Sequence, residues 1–523
     1  MEDRTAEWGR GQRYAVVRVD APARLVSVPG FHLRRPATGS PFSVMRSLLV
    51  AALAVVATPA LLPAQGRALT RADSALVGRI LLAEDRRHST AAALAEGARH
   101  EDARVRLIAR RARARTADPL FAARDSLPPL PAPPAWPEPA WRLRYRELTA
   151  LRDDCAALRR AMTDGAWAVR LRAADLARAS CAGDDTLVTM LGAWIDALPP
   201  GASRRARGDV SWHAAAHAIV ALARLRPDAA RTRLGALADH DQWQARLYAA
   251  RAAVVLADTS RLRTFARDVN DNVKEAAITA LAGLTGHADD DLYLAALQAD
   301  GAQAVRAAAL ALAGSRRADV RSAANAAFER WVARANASER DVRVALLAAA
   351  GRPATDDRPP ATPRELPLAV IPLALGSDVR LRVDMAPASG GGSFVVRLRG
   401  DVAPIMAARI LTLVREGYYD GLAWHRVEPD FVIQGGSPGD NEYVGHSVHI
   451  RDELGTVPQV RGTVGMSTRG HDTGDAQWFV NLKDNLRLGR DYTVFAEVIE
   501  GIEVVDAILE GDIMARITEL PNP

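Results

Sequence analysis

One phrase recurs along the first two thirds of this 523-residue chain and restricts what it can fold into. A polar turn is followed by an apolar residue, then a basic one, then a run of alanine and leucine. The pairs are Val105-Arg106, Val169-Arg170, Trp212-His213, Ala245-Arg246, Val273-Lys274, Val305-Arg306 and Val342-Arg343. Their basic positions lie 64, 43, 33, 28, 32 and 37 residues apart, the first gap being long enough for two units. A period near thirty residues is that of a helix pair. One such pair has a single apolar face too small to form a core, so neighbouring pairs must stack on it. Composition agrees, because 49% hydrophobic content with only 5% aromatic favours closely packed helices over a large β-sandwich.

The phrase resembles HEAT-type repeats, in particular the short alanine-rich bacterial class. That resemblance implies an all-α solenoid over residues 68–352, although a plain helical bundle leaves a similar trace. A chain this long exceeds a single core and divides into two or three domains. Residues 126–139, SLPPLPAPPAWPEP, interrupt the array and cannot be helical, since each proline lacks a donor and clashes with the preceding turn. They read as an extended crossover lying across or between the first repeats, with a polyproline ligand for a partner as the alternative. Cys155 and Cys181, 26 residues apart, are either a disulfide between two helices or two buried thiols, and in neither case catalytic. Proline and charge dominate residues 353–367, a semi-rigid linker from which residues 368–523 are expected to separate as an independently folding domain.

At the other end, Met45-Arg46-Ser47 precedes an apolar run of about fifteen residues and a small residue at Ala64, the layout of a secretory signal peptide. The run is short for a membrane span. Residues 45–64 are therefore expected to be a cleaved signal, with an uncleaved N-terminal anchor as the alternative, residues 1–44 being a non-native extension ahead of the true start and the mature protein exported to the periplasm without a membrane span. Nearly all of the 68 basic residues are arginine, which matches GC-rich codon usage. A net charge of +6 spread over this length, without an aromatic-interleaved basic stripe, argues against nucleic acid as a partner.

Residues 424–436 read WHRVEPDFVIQGG, and DAQWFV follows at 475–480. The alternation of apolar and polar positions, broken at Pro429-Asp430, predicts two short strands. They carry one cation, Arg426, and one amide, Gln434, among aromatics. Taken alone, such a pair is equally a neutral structural network. The spacing is more specific. Trp424-His425-Arg426-Val427, Phe431 and Gln434-Gly435-Gly436, with Gly462 and Met466 and then Gln477-Trp478-Phe479-Val480, resemble the cyclophilin family of peptidyl-prolyl cis/trans isomerases. The likeness spans roughly residues 379–520, from FVVRLRGDVAP to YTVFAEVIEGIEVVDAI.

That resemblance implies a closed antiparallel eight-stranded β-barrel with two helices. The first helix begins after Asp401 at Pro404 and stops at Gly417. It also implies the site. Arg426 donates to the substrate proline and favours the twisted amide, and Gln434 contacts the substrate backbone. Phe431, Val432, Met466, Phe479, Leu488 and Tyr492 form the proline pocket with Gln477 on its rim. Ser467 and Thr468 stand where many members have Ala-Asn and make their contact through the backbone. Tyr492 replaces a histidine of eukaryotic members, and Arg487 lies where those members have tryptophan. No nucleophile, metal or cofactor is required, and His446, His449 and His471 lack a partner at ligand spacing. The implied function is isomerisation of proline bonds in unfolded or extended exported polypeptides, with the helical array binding clients or a protein partner. The alternative is a scaffold whose barrel binds proline segments without turnover. Mass spectrometry of the exported protein is expected to find a mature N-terminus near Gln65, and peptides from residues 1–44 in that form would exclude this reading.

Overall fold

The recurring phrase is explained by what its two residues do. The apolar member is buried in Val105, Val169, Ala245, Val273, Val305 and Val342. In four of the seven pairs the basic member turns back and closes the polar turn before its own helix. Arg106 donates to the carbonyls of His100 and Glu101 at 2.7 and 2.6 Å, Arg246 to those of His240 and Asp241 at 2.7 and 3.0 Å, and Arg343 to that of Asn336 at 2.8 Å. Arg170 reaches the carbonyl of Asp164 in the same way. Each of these guanidinium groups thus supplies donors to the carbonyls of its turn.

This computed structural model describes residues 69–118, 130–198, 211–360, 366–367 and 369–521. The expected extension at 1–44 and signal at 45–64 lie outside the described residues, as do 126–129 of the proline-rich stretch and 361–365 of the linker. The helices Trp167–Leu176, Trp212–Leu225, Trp243–Val255, Asp271–Thr285, Ala302–Leu312 and Arg340–Ala349 pack one against the next, each with a companion helix beside it. A disulfide joins Cys155 and Cys181. In the chain-entropy account, closing this loop contributes about 3.5 kcal/mol. No helix among the described residues is long and apolar enough to cross a membrane.

Eight antiparallel strands follow: β1 Arg380–Met385, β2 Ser393–Leu398, β3 Arg426–Val427, β4 Val432–Gly435, β5 Thr463–Met466, β6 Trp478–Asn481, β7 Val494–Glu500 and β8 Met514–Glu519. They form one sheet in the order β3-β4-β6-β5-β7-β2-β1-β8. Its two outer members are laced together ahead of the strands themselves. The amides of Gly421 and Trp424 donate to the carbonyls of Met514 and Asp512, both at 2.8 Å, and those of Met514 and Gly511 return bonds of 2.9 Å to Leu422 and Trp424. The helix Pro404–Arg415 starts at its proline, as expected, and Gly417 follows its end at φ +70°.

The core is divided differently from the sequence-based expectation. Residues from Leu148 to Ala350 share one apolar cluster. The first three helices, α1 (Arg71–Asp85), α2 (Ala92–Ala98) and α3 (Ala103–Ala117), do not belong to it. Leu76, Val77, Ile80, Val105 and Ile108 pack with Leu373, Phe394 and Met406 in the cluster that fills the sheet. The array expected over 68–352 therefore begins after the proline-rich stretch. The sheet is not a separable lobe behind a linker, because part of its core comes from the opposite end of the chain. The proline-rich stretch is non-helical where described, but it runs against the sheet rather than between repeats. Trp136 Nε1 donates to the carbonyl of Val498 at 3.1 Å, and its indole lies over Gly462, where a Cβ would come within 2.6 Å of the ring.

Buried charge fixes this junction. Glu84 on α1 receives Arg111 (3.2 Å) and Arg115 (2.6 Å) from α3, all three side chains being under 10% exposed. Arg115 also donates to the carbonyls of Val402, Glu453 and Leu454 at 2.7, 2.9 and 2.9 Å, and Arg111 to that of Asp401 at 3.1 Å. Burial opposes ionisation of Glu84, but the two guanidinium groups hold its carboxyl below the usual value. Burial pushes Glu453 up to about 7 despite Arg115 nearby. Its carboxylate accepts the Ile405 and Met406 amides at the start of the helix Pro404–Arg415, at 3.2 and 2.7 Å. Removing one member of such a cluster strands the others. Arg115→Ala is expected to cost about 3–5 kcal/mol, read from the urea unfolding midpoint. An unchanged midpoint would show that the folded protein does not rely on this contact.

Candidate active site

The hairpin of β3 and β4 sets Arg426 directly opposite Gln434. Gln434 in turn pairs with Phe479 on β6, and Gly465 on β5 pairs with Phe479 from the other side. Side chains alternate across these short strands. Ile433, Val464, Met466, Trp478 and Val480 point into the main core, and Val432, Gln434 and Phe479 point to the opposite face. There Val432, Phe479 and Leu488, with half-buried Phe431 and Tyr492, make a small apolar cluster separate from both larger cores. Gly465 is essential to its shape, because a Cβ at that position would come within 2.3 Å of the Phe479 ring. Phe479 and Tyr492 meet edge to face at 5.6 Å between ring centroids, and the Arg487 guanidinium lies 5.0 Å above the Phe431 ring.

Five of the six expected pocket residues are therefore together, beside Arg426 and Gln434. Met466 is not. It shares strand parity with Val464, pairs with Trp478, and is wholly buried in the main core against Gly474. Gln477 does not stand at a rim either. It is 1% exposed, and its amide donates to the carbonyls of Val444 and Glu442 at 3.0 and 3.3 Å. Gln434 donates to Gln477 Oε1 at 3.1 Å and to Ser467 Oγ at 2.9 Å, so Ser467 takes part through its hydroxyl. Thr468 is half-buried beside it. Gln434 is thus held by two acceptors, with its own Oε1 turned to Arg426 at 3.4 Å.

Two features of the site escaped the sequence reading. Glu442, in the loop after β4, accepts from Arg426 Nη1 at 2.9 Å. The turn of the hairpin is held from outside by α4 (Ala140–Glu147), where buried Arg142 donates to the Pro429 carbonyl at 2.8 Å and Arg146 pairs with Asp430 at 2.7 Å. Glu442 lies in a loop without periodicity, and the contacts of Arg142 and Arg146 cross more than 280 residues.

Chemically, the arrangement offers a multi-donor cation fixed at the edge of an apolar pocket. The cyclophilin type peptidyl-prolyl cis-trans isomerase family matches residues 382–520. A peptidyl-prolyl cis-trans isomerase of Helicobacter pylori is 35% identical over 130 residues, which is 24% of this chain and 80% of that one. Peptidyl-prolyl cis-trans isomerase B of Bacillus subtilis is 34% identical over 129 residues, 24% of this chain and 90% of that one. The chain belongs to the cyclophilin-type peptidyl-prolyl cis-trans isomerases. The match covers the sheet and leaves out the helical array, so the array is an addition to the cyclophilin region in this chain.

Next to Arg426 in the cyclophilin region, His425 has both ring nitrogens shielded from water and without a hydrogen-bond partner. Burial, and secondarily the charge of Arg426, push its pKa down to about 3. Folding therefore requires neutral imidazole. Its contribution is intact above the ordinary histidine value of 6.5 and is lost as pH falls from there toward 3. His425→Phe is expected to flatten the acid side of the stability profile between pH 6 and 4, by up to about 1.4 kcal/mol per pH unit. Parallel profiles of variant and wild type, measured by urea unfolding, would contradict a buried neutral ring.

Proposed function

We propose that this chain isomerises X-Pro bonds in exported polypeptides, with Arg426 as the catalytic donor, Gln434 as the substrate-backbone contact, and Phe431, Val432, Phe479, Leu488 and Tyr492 as the proline pocket. The observation that carries this reading is the isolated apolar cluster at the foot of Arg426. An X-Pro amide turns slowly because its C–N bond has partial double-bond character, with a barrier of about 18–20 kcal/mol. A catalyst need only bind the twisted amide more tightly than either planar form. Twisting localises the lone pair on the prolyl nitrogen, and a fixed donor beside that atom stabilises this state without bond making or breaking. Ring burial against Phe479 and Val432 holds the proline while the preceding carbonyl swings.

The stacked helix pairs support reading the region from α4 to Ala349 as a HEAT-like solenoid that receives clients or a partner, and the lacing of residues 421–424 to 511–514 supports closure of the sheet into a barrel. Export to the periplasm rests on the segment at 45–64 and is consistent with the Cys155–Cys181 disulfide, which needs an oxidising compartment.

Arg426→Lys keeps the charge and loses the planar fork. Turnover on a short proline peptide, measured by NMR exchange, is expected to fall at least about tenfold in kcat/KM, about 1.4 kcal/mol of transition-state stabilisation, with peptide affinity much less affected. Equal turnover would make Arg426 structural, and binding without turnover in wild type would leave a proline-binding module.

A further inference from the structure

The loop after β4, residues 437–449, lies between the catalytic face and the helical array, and both sides grip it. From the array, Asn272 Nδ2 donates to the Gly439 carbonyl at 3.0 Å, the Arg306 guanidinium lies 4.0 Å above the Tyr443 ring, and the Ala337 amide donates to the Ser447 carbonyl at 3.0 Å. Arg469 ties the same loop to the array's last helix. It donates to the Glu442 carbonyl at 2.6 Å and the Ser338 carbonyl at 2.9 Å, and it pairs with Asp341 at 2.7 Å. From beneath, Gln477 holds the carbonyls of Glu442 and Val444. The backbone of Glu442 is therefore clamped from two sides. Its carboxylate projects onto Arg426 Nη1, the same nitrogen that faces Gln434 Oε1.

We propose that Glu442 is a positioning residue for Arg426, and that the helical array sets its place. This rests on the catalytic assignment of Arg426 made above. Two acceptors on one nitrogen, with Glu428 Oε1 3.8 Å from Nε, fix the plane of the guanidinium. A long flexible side chain is thereby ordered before substrate arrives, so the reaction does not have to order it. A cyclophilin region without the array would keep the hairpin, Gln434 and the bonds from Arg469 and Gln477 to the Glu442 carbonyl, but not the contacts at Gly439, Tyr443 and Ser447 that the array supplies. The array thus acts on the chemistry through one carboxylate.

The test uses the full chain, a single proline peptide, and NMR exchange with kcat and KM determined separately. Glu442 is 45% exposed on its side chain, so truncation opens no cavity. Glu442→Ala is expected to lower kcat about tenfold with KM little changed, and to broaden the Arg426 Nε–H resonance through loss of orientation. Glu442→Gln, whose amide oxygen still accepts from Nη1, is expected to recover about a third or more of the wild-type kcat. The double variant Asn272→Ala, Arg306→Ala is expected to lower kcat about threefold and to add nothing further in the Glu442→Ala background, since both act along one route. Arg426→Ala is the control. If it is inactive while Glu442→Ala turns over like wild type, the positioning role is overturned and the catalytic assignment stands. If Arg426→Ala itself turns over like wild type, the catalytic assignment falls and the proposal with it. Additive losses from the Asn272/Arg306 and Glu442 variants would remove the array from the account.

Discussion

The buried cluster of Glu84, Arg111, Arg115 and Glu453 is the constraint on which the rest depends. A charged group in a nearly dry interior is tolerated only when partners surround it, and these partners come from sequence positions more than three hundred residues apart. Arg115 reaches three carbonyls of the cyclophilin region while holding Glu84 on its own side. Helices α1 to α3 are consequently held to the sheet, and the chain then meets the sheet at Trp136 and enters α4 next to the hairpin of β3 and β4.

The consequence reaches the site through contacts that are individually ordinary. Arg142 and Arg146 of α4 hold the turn between β3 and β4, and later helices hold the loop that carries Glu442. The reaction asks little of the protein chemically, because no bond to a heavy atom is formed or broken. What it requires is a donor that does not move and a pocket that grips the ring, and both are matters of positioning. In such a reaction, rigid surroundings are the main variable a larger protein can change.

Much of the site was legible in the sequence because it is local. Arg426, Phe431, Val432 and Gln434 lie within nine residues, and their spacing implies a hairpin whose register places Arg426 opposite Gln434. Met466 was misread because its role depends on strand parity. A four-residue strand leaves one residue of uncertainty in register, and that residue exchanges pocket for core. Gln477 looked like a rim residue because its partners, the carbonyls of Glu442 and Val444, are backbone groups of a loop without periodicity. From Trp167–Leu176 onward the apolar-basic phrase falls on alternate helices, and Arg106, Arg246 and Arg343 act on turns five to seven residues away. The same pattern concealed that α1 to α3 serve a different core. Val105-Arg106 has the same local form as its counterparts, and it is Glu84, Arg111 and Arg115, charged residues in an otherwise apolar layer, that mark that segment.

The central claim is that the first helices and the cyclophilin region are one cooperative body. Hydrogen exchange of the full chain in increasing denaturant, followed by mass spectrometry, addresses it directly, because amides that share an opening converge on one free energy. The account predicts that peptides from Ala103–Ala117 and from Pro404–Arg415 become exchangeable through the same opening, with the same denaturant dependence. Exchange of Ala103–Ala117 at a much lower free energy, while Pro404–Arg415 stays protected, would contradict it.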